Sequence, residues 1–222
     1  MELRLDRKDE HPLFRTDIVA LQNLLDQHGI AFPEKFSGRI EEYCRLIAEW
    51  NKRMSLVSEK DEMKLVEHVA DSLSVLAVEP HLRGKRLLDV GSGAGFPGLV
   101  LKLWADDLDV VLLESVRKKT LFLRKAIDVL DLRGAEVAQE RYEEYSSDEK
   151  FDLVTLRAVK NADAFLEKAA KLLKPGGKFV HFTTERKNSL DILRSPLLKS
   201  FKLSEMKAPW GRGILVVYEL VS

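Results

Sequence analysis

Three glycines at alternate positions, set between an apolar run and the start of a helical pattern, constrain this chain more than any other stretch. Leu87, Leu88 and Val90 have the length and composition of a buried strand, and Gly91, Gly93 and Gly95 follow at once. Phe96 and Pro97 come next, then an apolar pattern of helical period over residues 99–104. Glycine reaches backbone angles closed to other residues and lets a ligand lie against the main chain. Pro97 suits the first turn of a helix, where its missing N–H costs nothing. Strand, glycine turn and helix start in this order make a cradle of the kind that holds nucleotides.

Two cofactors fit that cradle. Gly93-Ala-Gly-Phe-Pro-Gly98 matches the dinucleotide fingerprint G-x-G-x-x-G, with Glu114 at a suitable distance downstream to meet a ribose. The same residues taken as Asp89-x-Gly91-x-Gly93-x-Gly95 put an acidic strand end before G-x-G-x-G, which resembles motif I of S-adenosylmethionine-dependent methyltransferases. A bare strand-to-helix turn would not need three alternating glycines.

Composition narrows the class. The chain has 222 residues, 45% hydrophobic and 32% charged, as expected of a soluble globular protein with a proper core. Its 36 basic and 36 acidic residues cancel, so any site for a polyanion has to be a local patch. The single Cys44 forms no internal disulfide and fits a reducing, cytoplasmic setting. It falls on an apolar helical face with Ile40 and Ile47, which makes it a core residue rather than a nucleophile. Residues 1–11 are charge-rich and carry no apolar signal segment, and no apolar run approaches the roughly 20 residues of a membrane span. Neither a Cys/His cluster for a metal nor a hydrolase nucleophile elbow is visible.

The rest of the chain falls into two parts. Residues 1–84 form a helical extension: Ile18, Leu21, Leu24 and Leu25 make a stripe that stops at Gly29. Ile40, Tyr43, Cys44, Ile47 and Trp50 make a second stripe after a break at Ser37-Gly38, and Leu65, Val66, Val69, Leu73 and Leu76 a third that ends before Pro80. Residues 85–222 alternate between strands and helices. Strands are expected at 110–113, 135–138, 151–156, 178–182 and 214–220. The intervening helices are centred on Leu121–Leu130, on Phe165–Leu173 and over 189–198, with a turn at Lys174-Pro-Gly-Gly177. This is the pattern of a doubly wound α/β domain, mostly parallel, with the final strand antiparallel because no helix precedes it after Pro209. Ligands bind such sheets at the carboxyl ends of strands, where Asp89, Glu114 and Arg157 fall.

Longer motifs discriminate between the cofactors. Leu88-Asp-Val-Gly-Ser-Gly-Ala-Gly-Phe-Pro-Gly98, Leu113-Glu-Ser with Lys118-Lys119 and Phe122-Leu123, Glu140-Arg-Tyr-Glu-Glu144, Phe151-Asp-Leu-Val-Thr-Leu-Arg-Ala-Val159 and Leu173-Lys-Pro-Gly-Gly177 occur in that order. Together with Trp50-Asn-Lys52 and Glu67-His-Val-Ala-Asp-Ser-Leu73, they resemble the glucose-inhibited division protein B family, also called ribosomal small-subunit methyltransferase G. The resemblance implies a Rossmann-like methyltransferase that moves a methyl group from S-adenosylmethionine to N7 of a guanine in 16S ribosomal RNA. Its partner would be that RNA or a small-subunit assembly intermediate, and it would act as a monomer without a metal. Contacts to the cofactor would come from Asp89, Gly91, Gly93, Gly95, Phe96, Glu114, Ser115, Tyr142, Glu143 and Arg157, with Tyr142 and Glu143 against the adenine through their backbone. A dehydrogenase would need a separate catalytic domain for which too little chain remains. Other classes with the same features are a methyltransferase for another RNA or a small molecule, and a non-catalytic RNA-binding module.

Several residues have a competing structural explanation. Glu114 suits a ribose, but also the N-terminus of the helix after it. Phe96 would wall a pocket or fill a core. Arg157 ends an otherwise apolar strand at the active edge, as a catalytic contact or in a buried ion pair with Asp89 or Glu114. His68 reads as a satisfied core histidine. Lys118 and Lys119 open a helix, where the dipole disfavours cations by about 0.3–1 kcal/mol, so phosphate contact is the better explanation. With Arg141, Arg157 and Arg212 they would form a basic rim for RNA, whereas Arg124 and Lys125 suit a solvated face. No general base is expected, because guanine N7 has a lone pair and no proton to remove. The chain departs from the family pattern at Ser55-Leu-Val57 and Thr183-Thr-Glu185.

Overall fold

The computed structural model describes residues 12–58, 64–157, 163–184, 200–211 and 213–221. Three helices come first: α1 Pro12–Gln27, α2 Phe36–Met54 and α3 Leu65–Leu73, the last continued by a 3-10 turn Ser74–Ala77. Then follow β1 Arg86–Val90, α4 Gly98–Trp104, β2 Asp109–Leu113, α5 Arg117–Val129, β3 Ala135–Ala138 and β4 Phe151–Arg157. The chain ends with α6 Asp163–Leu172, β5 Leu173–Thr183, β6 Phe201–Lys207 and β7 Ile214–Leu220.

Among the described residues the strands make one seven-stranded sheet in the order β3-β2-β1-β4-β5-β7-β6. The first five are parallel to their neighbours, and β7 is antiparallel to both β5 and β6. After β1 the chain builds outward on one side through β2 and β3, then returns to place β4 on the other side. That reversal opens a crevice at the carboxyl ends of β1 and β4, the usual ligand position in such sheets.

The central strands are apolar on both faces because both are covered. Leu87, Val110, Leu112, Leu153, Val180, Leu215 and Val217 join a core that continues into Ile18, Leu25, Ile40, Ile47, Leu65, Val69 and Leu73 of the three N-terminal helices. Leu88, Val90, Val111, Leu113, Val154, Leu156, Phe179 and Val216 face the other way and pack with Leu166, Ala169 and Leu172 of α6. The buried Cys44 sits in the first of these cores.

The antiparallel strand expected at 214–220 is present, but a strand the sequence did not announce, β6, lies outside it and forms the sheet edge. The expected break at Ser37-Gly38 is absent, since α2 already starts at Phe36. Both residues fall in its first turn, where N–H groups lack intrahelical partners and weak helix formers cost little. Lys174-Pro-Gly-Gly177 is a bulge within β5, whose pairing steps from Leu173 opposite Phe151 to Lys178 opposite Leu153. The helix expected over 189–198, together with Glu185 and Arg212, lies outside the described residues.

Candidate active site

The site is built on the turn that follows β1. Gly91 and Gly93 have φ of +69° and +60°, angles that favour glycine. A Cβ on Gly91 would meet nothing within 4 Å, and one on Gly93 only the Gly91 carbonyl at 3.8 Å, so this stretch of main chain borders open space. The N–H groups of Gly91 and Ser92 donate to the Leu113 carbonyl at 2.8 and 3.1 Å, which ties the turn to the end of β2. Gly95 differs from the other two. Its Cβ would lie 2.6 Å from Leu99 Cδ1 and 2.7 Å from Tyr43 Oη, so this glycine lets α2 and α4 close on the turn. The Tyr43 hydroxyl donates to the Ala94 carbonyl, a direct link from the N-terminal helices to the glycine turn.

Asp89 lies under the turn, fully buried. One carboxylate oxygen accepts from Thr155 Oγ1 at 2.8 Å and the other from the Gly98 N–H at 3.1 Å, clamping β1 to β4 and to the start of α4. Burial pushes its pKa up to about 6, against the pull of the Thr155 and Gly98 donors and the charge of Arg157. Glu114, just past β2, is 6% exposed. Its Oε2 accepts from the Gly93 N–H at 2.9 Å and its Oε1 from the Val116 N–H at 2.8 Å, so the carboxylate is held in one orientation beside the turn. Ser115 next to it is exposed.

Tyr142 and Glu143 occupy the turn beyond β3. The Tyr142 ring is buried with its centroid 4.8 Å from that of Phe165, and its hydroxyl donates to the Phe165 carbonyl at 3.0 Å. That side chain belongs to the core under α6. The Glu143 carbonyl accepts from Lys168 Nζ at 2.7 Å.

Arg157, the last residue of β4, meets neither of the acids expected as its partner. Its Nη2 lies 3.3 Å from Asp71 Oδ2 and 2.6 Å from His68 Nδ1, both on α3. Its guanidinium carbon is 5.7 Å from the centroid of Phe96, a ring 8% exposed that also packs against Tyr43 and His68 at 5.5 and 5.6 Å. His68 is thus hydrogen-bonded, as expected, but half-buried beside the end of β4 rather than in the core. A sequence signal was present: His68 and Asp71 stand three apart on a helix whose other face carries Leu65, Val66, Val69 and Leu73.

Lys118 is exposed and Lys119 half-buried in the first turn of α5, which has no acidic residue there and no basic residue in its last turn. Arg141 is exposed in the turn after β3. These three and Arg157 follow or end parallel strands, so they share the carboxyl edge with Glu114, while Asp106 and Asp107 precede β2 at the opposite edge. A groove of about 370 Å³ between α1, α3 and Trp210 carries Asp17, Glu67 and Asp71, a lining that disfavours phosphate. No helix among the described residues is long and apolar enough to cross a membrane.

The family model for rRNA small subunit methyltransferase G matches residues 37–205. A protein of that name from Desulfitobacterium hafniense is 34% identical over 203 residues, covering 85% of this chain and 81% of its own. Another, from Psychromonas ingrahamii, is 39% identical over 139 residues, covering 62% and 66%. Among solved structures, a putative O-methyltransferase from Klebsiella pneumoniae superposes with a TM-score of 0.60 at 14% identity, covering 91% of this chain and 97% of that one, a likeness of fold. With the matched segment spanning the glycine turn, the Arg157 strand and the helices packed behind them, the chain belongs to the rRNA small subunit methyltransferase G family, GidB.

Proposed function

We propose that this chain is an S-adenosylmethionine-dependent methyltransferase that modifies N7 of a guanine in 16S ribosomal RNA, either free or in a small-subunit assembly intermediate. The observation that carries this reading is the open main chain at Gly91 and Gly93 beside a carboxylate fixed at the end of β2.

The residues present fit the cofactor. The space a Cβ would fill at Gly91 and Gly93 suits the methionine part, whose close approach needs bare backbone. Glu114 is placed to accept from ribose hydroxyls, with Ser115 beside it. The backbone of Tyr142 and Glu143 would border the adenine, and Phe96 would wall the pocket. Asp89 acts one step removed, through the Gly98 and Thr155 bonds that hold the turn in shape.

When bound, the cofactor supplies an electrophilic methyl group whose C–S bond breaks with the electron pair retained by sulfur. Guanine N7 provides the lone pair for the new N–C bond and releases no proton. The protein's task is to align donor and acceptor and to keep water out, which alone contributes several kcal/mol. That requirement agrees with a site holding buried Asp89 and partly buried His68, both committed to protein partners. Lys118, Lys119 and Arg141, with Arg212, would hold phosphates while the base enters at the carboxyl edge beside Arg157.

Calorimetric titration tests the cofactor assignment: S-adenosylmethionine or its demethylated product should bind and a nicotinamide dinucleotide should not. Binding of the dinucleotide alone would overturn it.

A further inference from the structure

We propose that His68 and Asp71, on α3, are positioning residues for Arg157 in the methyl-transfer reaction, so that a helix outside the sheet completes the active edge. This rests on the methyltransferase reading above.

Arg157 is held at one nitrogen by two groups of α3 and on one face by a ring. Nη2 meets His68 Nδ1 at 2.6 Å and Asp71 Oδ2 at 3.3 Å, and the guanidinium plane lies near the Phe96 ring, 5.7 Å from its centroid. An arginine cannot accept a hydrogen bond and does not lose its charge. His68 Nδ1 is therefore the acceptor, and the ring proton sits on Nε2. Both partners are fixed by their own helix, because Leu65, Val66, Val69 and Leu73 anchor α3 in the core. The Arg157 and Asp71 side chains are 19% and 20% exposed, so the pair lies where protein meets solvent rather than deep in the core. That is the position of a group that receives a substrate.

Charge argues for the same role. The cofactor carries a sulfonium, and methylation at N7 leaves the guanine cationic, so an uncompensated guanidinium at this edge would repel both. Asp71 cancels that charge within ion-pair distance and leaves a planar donor group in place. Guanine presents O6 beside N7, and an arginine N–H is the usual protein donor to that oxygen. Fixing Nη2 against α3, with Nη1 buried, sets the plane of the guanidinium at the edge where the base enters. Tethering Arg157 from α3 also ties substrate alignment to the helices that Tyr43 connects to the glycine turn.

The test uses the full chain, methyl-labelled S-adenosylmethionine and small-subunit RNA from cells lacking this methylation. Steady-state constants are compared for wild type, Asp71→Asn, His68→Phe and His68→Asn, each alone and combined with Arg157→Ala, alongside cofactor affinity and melting temperature. Asp71→Asn and His68→Phe should lower kcat about tenfold, the scale of a lost bond to a charged group, with cofactor Kd unchanged. His68→Asn, which returns an oxygen acceptor near Nδ1, should recover most of that loss. In the Arg157→Ala background none of the three should matter further. Should His68→Phe melt early, the isosteric Asp71→Asn carries the comparison. Normal kcat in Asp71→Asn and His68→Phe, or equal losses with and without Arg157, would overturn the positioning role while leaving the methyltransferase reading intact. A wild type that binds no cofactor and transfers no methyl group would sink both.

Discussion

The three glycines of the turn do different work, and alanine substitutions at Gly91 and Gly95 should separate it. At Gly95, φ is +101° and an alanine would pay the positive-φ cost of about 1–2 kcal/mol. Its Cβ would also stand 2.6 Å from Leu99 Cδ1 and 2.7 Å from Tyr43 Oη. Neither neighbour can retreat, because Leu99 and Tyr43 are both fully buried and the tyrosine hydroxyl is bonded to Ala94. Overpacking of this kind costs about 1–3 kcal/mol, so Gly95→Ala should destabilise the fold by roughly 2–5 kcal/mol in all. For a chain of this size that corresponds to a fall in Tm of roughly 4–20 °C. At Gly91 only the backbone cost of about 1–2 kcal/mol applies, since the Cβ meets nothing within 4 Å. That methyl group would instead occupy the space assigned to the cofactor. Thermal melts followed by circular dichroism, with calorimetric titration of S-adenosylmethionine, distinguish the two. We expect a large fall in Tm for Gly95→Ala, and for Gly91→Ala a small one with cofactor affinity weakened at least about tenfold. A Gly95→Ala protein that melts with wild type, or a Gly91→Ala protein that binds cofactor normally, would refute this division of labour.

Glu114→Ala should weaken adenosyl binding about tenfold or more, at about 1.5–3 kcal/mol for hydrogen bonds to a charged group; unchanged affinity in the titration would remove Glu114 from the site. Asp89 makes stability depend on pH. Its pKa is raised to about 6 in the fold, so the native state holds that proton more tightly than the unfolded chain does. The stability this confers is present below about pH 4 and is lost as pH rises through 6, a change on the order of 3 kcal/mol. Asp89→Asn should therefore gain on wild type between pH 4 and 7 in urea denaturation, and a difference that stays constant across that range would contradict it. Lys118→Ala should lower methylation of ribosomal RNA while leaving cofactor affinity intact, and should reduce the log–log salt dependence of RNA binding by about 0.7; normal methylation across a salt series would remove Lys118 from the RNA surface.

The parts of the site readable in the sequence are those encoded by neighbours in the chain. Apolar run, alternating glycines and helix start stand within thirteen residues, and Glu114 follows its strand directly, so period and spacing locate them. The antiparallel β7 was visible as a long apolar run, but β6 was not. Only Phe201, Leu203 and Met206 are apolar in it, among Lys202, Ser204, Glu205 and Lys207, as suits an edge strand specified mainly by pairing with β7. Long-range partners escaped for the same reason. The sequence offers Asp89 or Glu114 as the acid for a paired Arg157, yet Asp71 is 86 positions away on a helix that reads locally as core. Tyr43 likewise looks like one more apolar member of its stripe, and only the fold brings its hydroxyl to Ala94. Tyr142 enters the site only through the family resemblance and its backbone, and its ring turns to α6, where it meets the Phe165 carbonyl and an apolar cluster.

The most direct measurement is to incubate the chain with methyl-labelled S-adenosylmethionine and small-subunit ribosomal RNA from cells lacking this methylation. The labelled RNA is then reduced and cleaved with aniline, which cuts at N7-methylguanosine. We expect label in the 16S RNA and one new cleavage at a guanine, abolished when the cofactor is omitted. Label on another atom, on a small molecule only, or no transfer at all would contradict guanine-N7 methylation as the function of this protein.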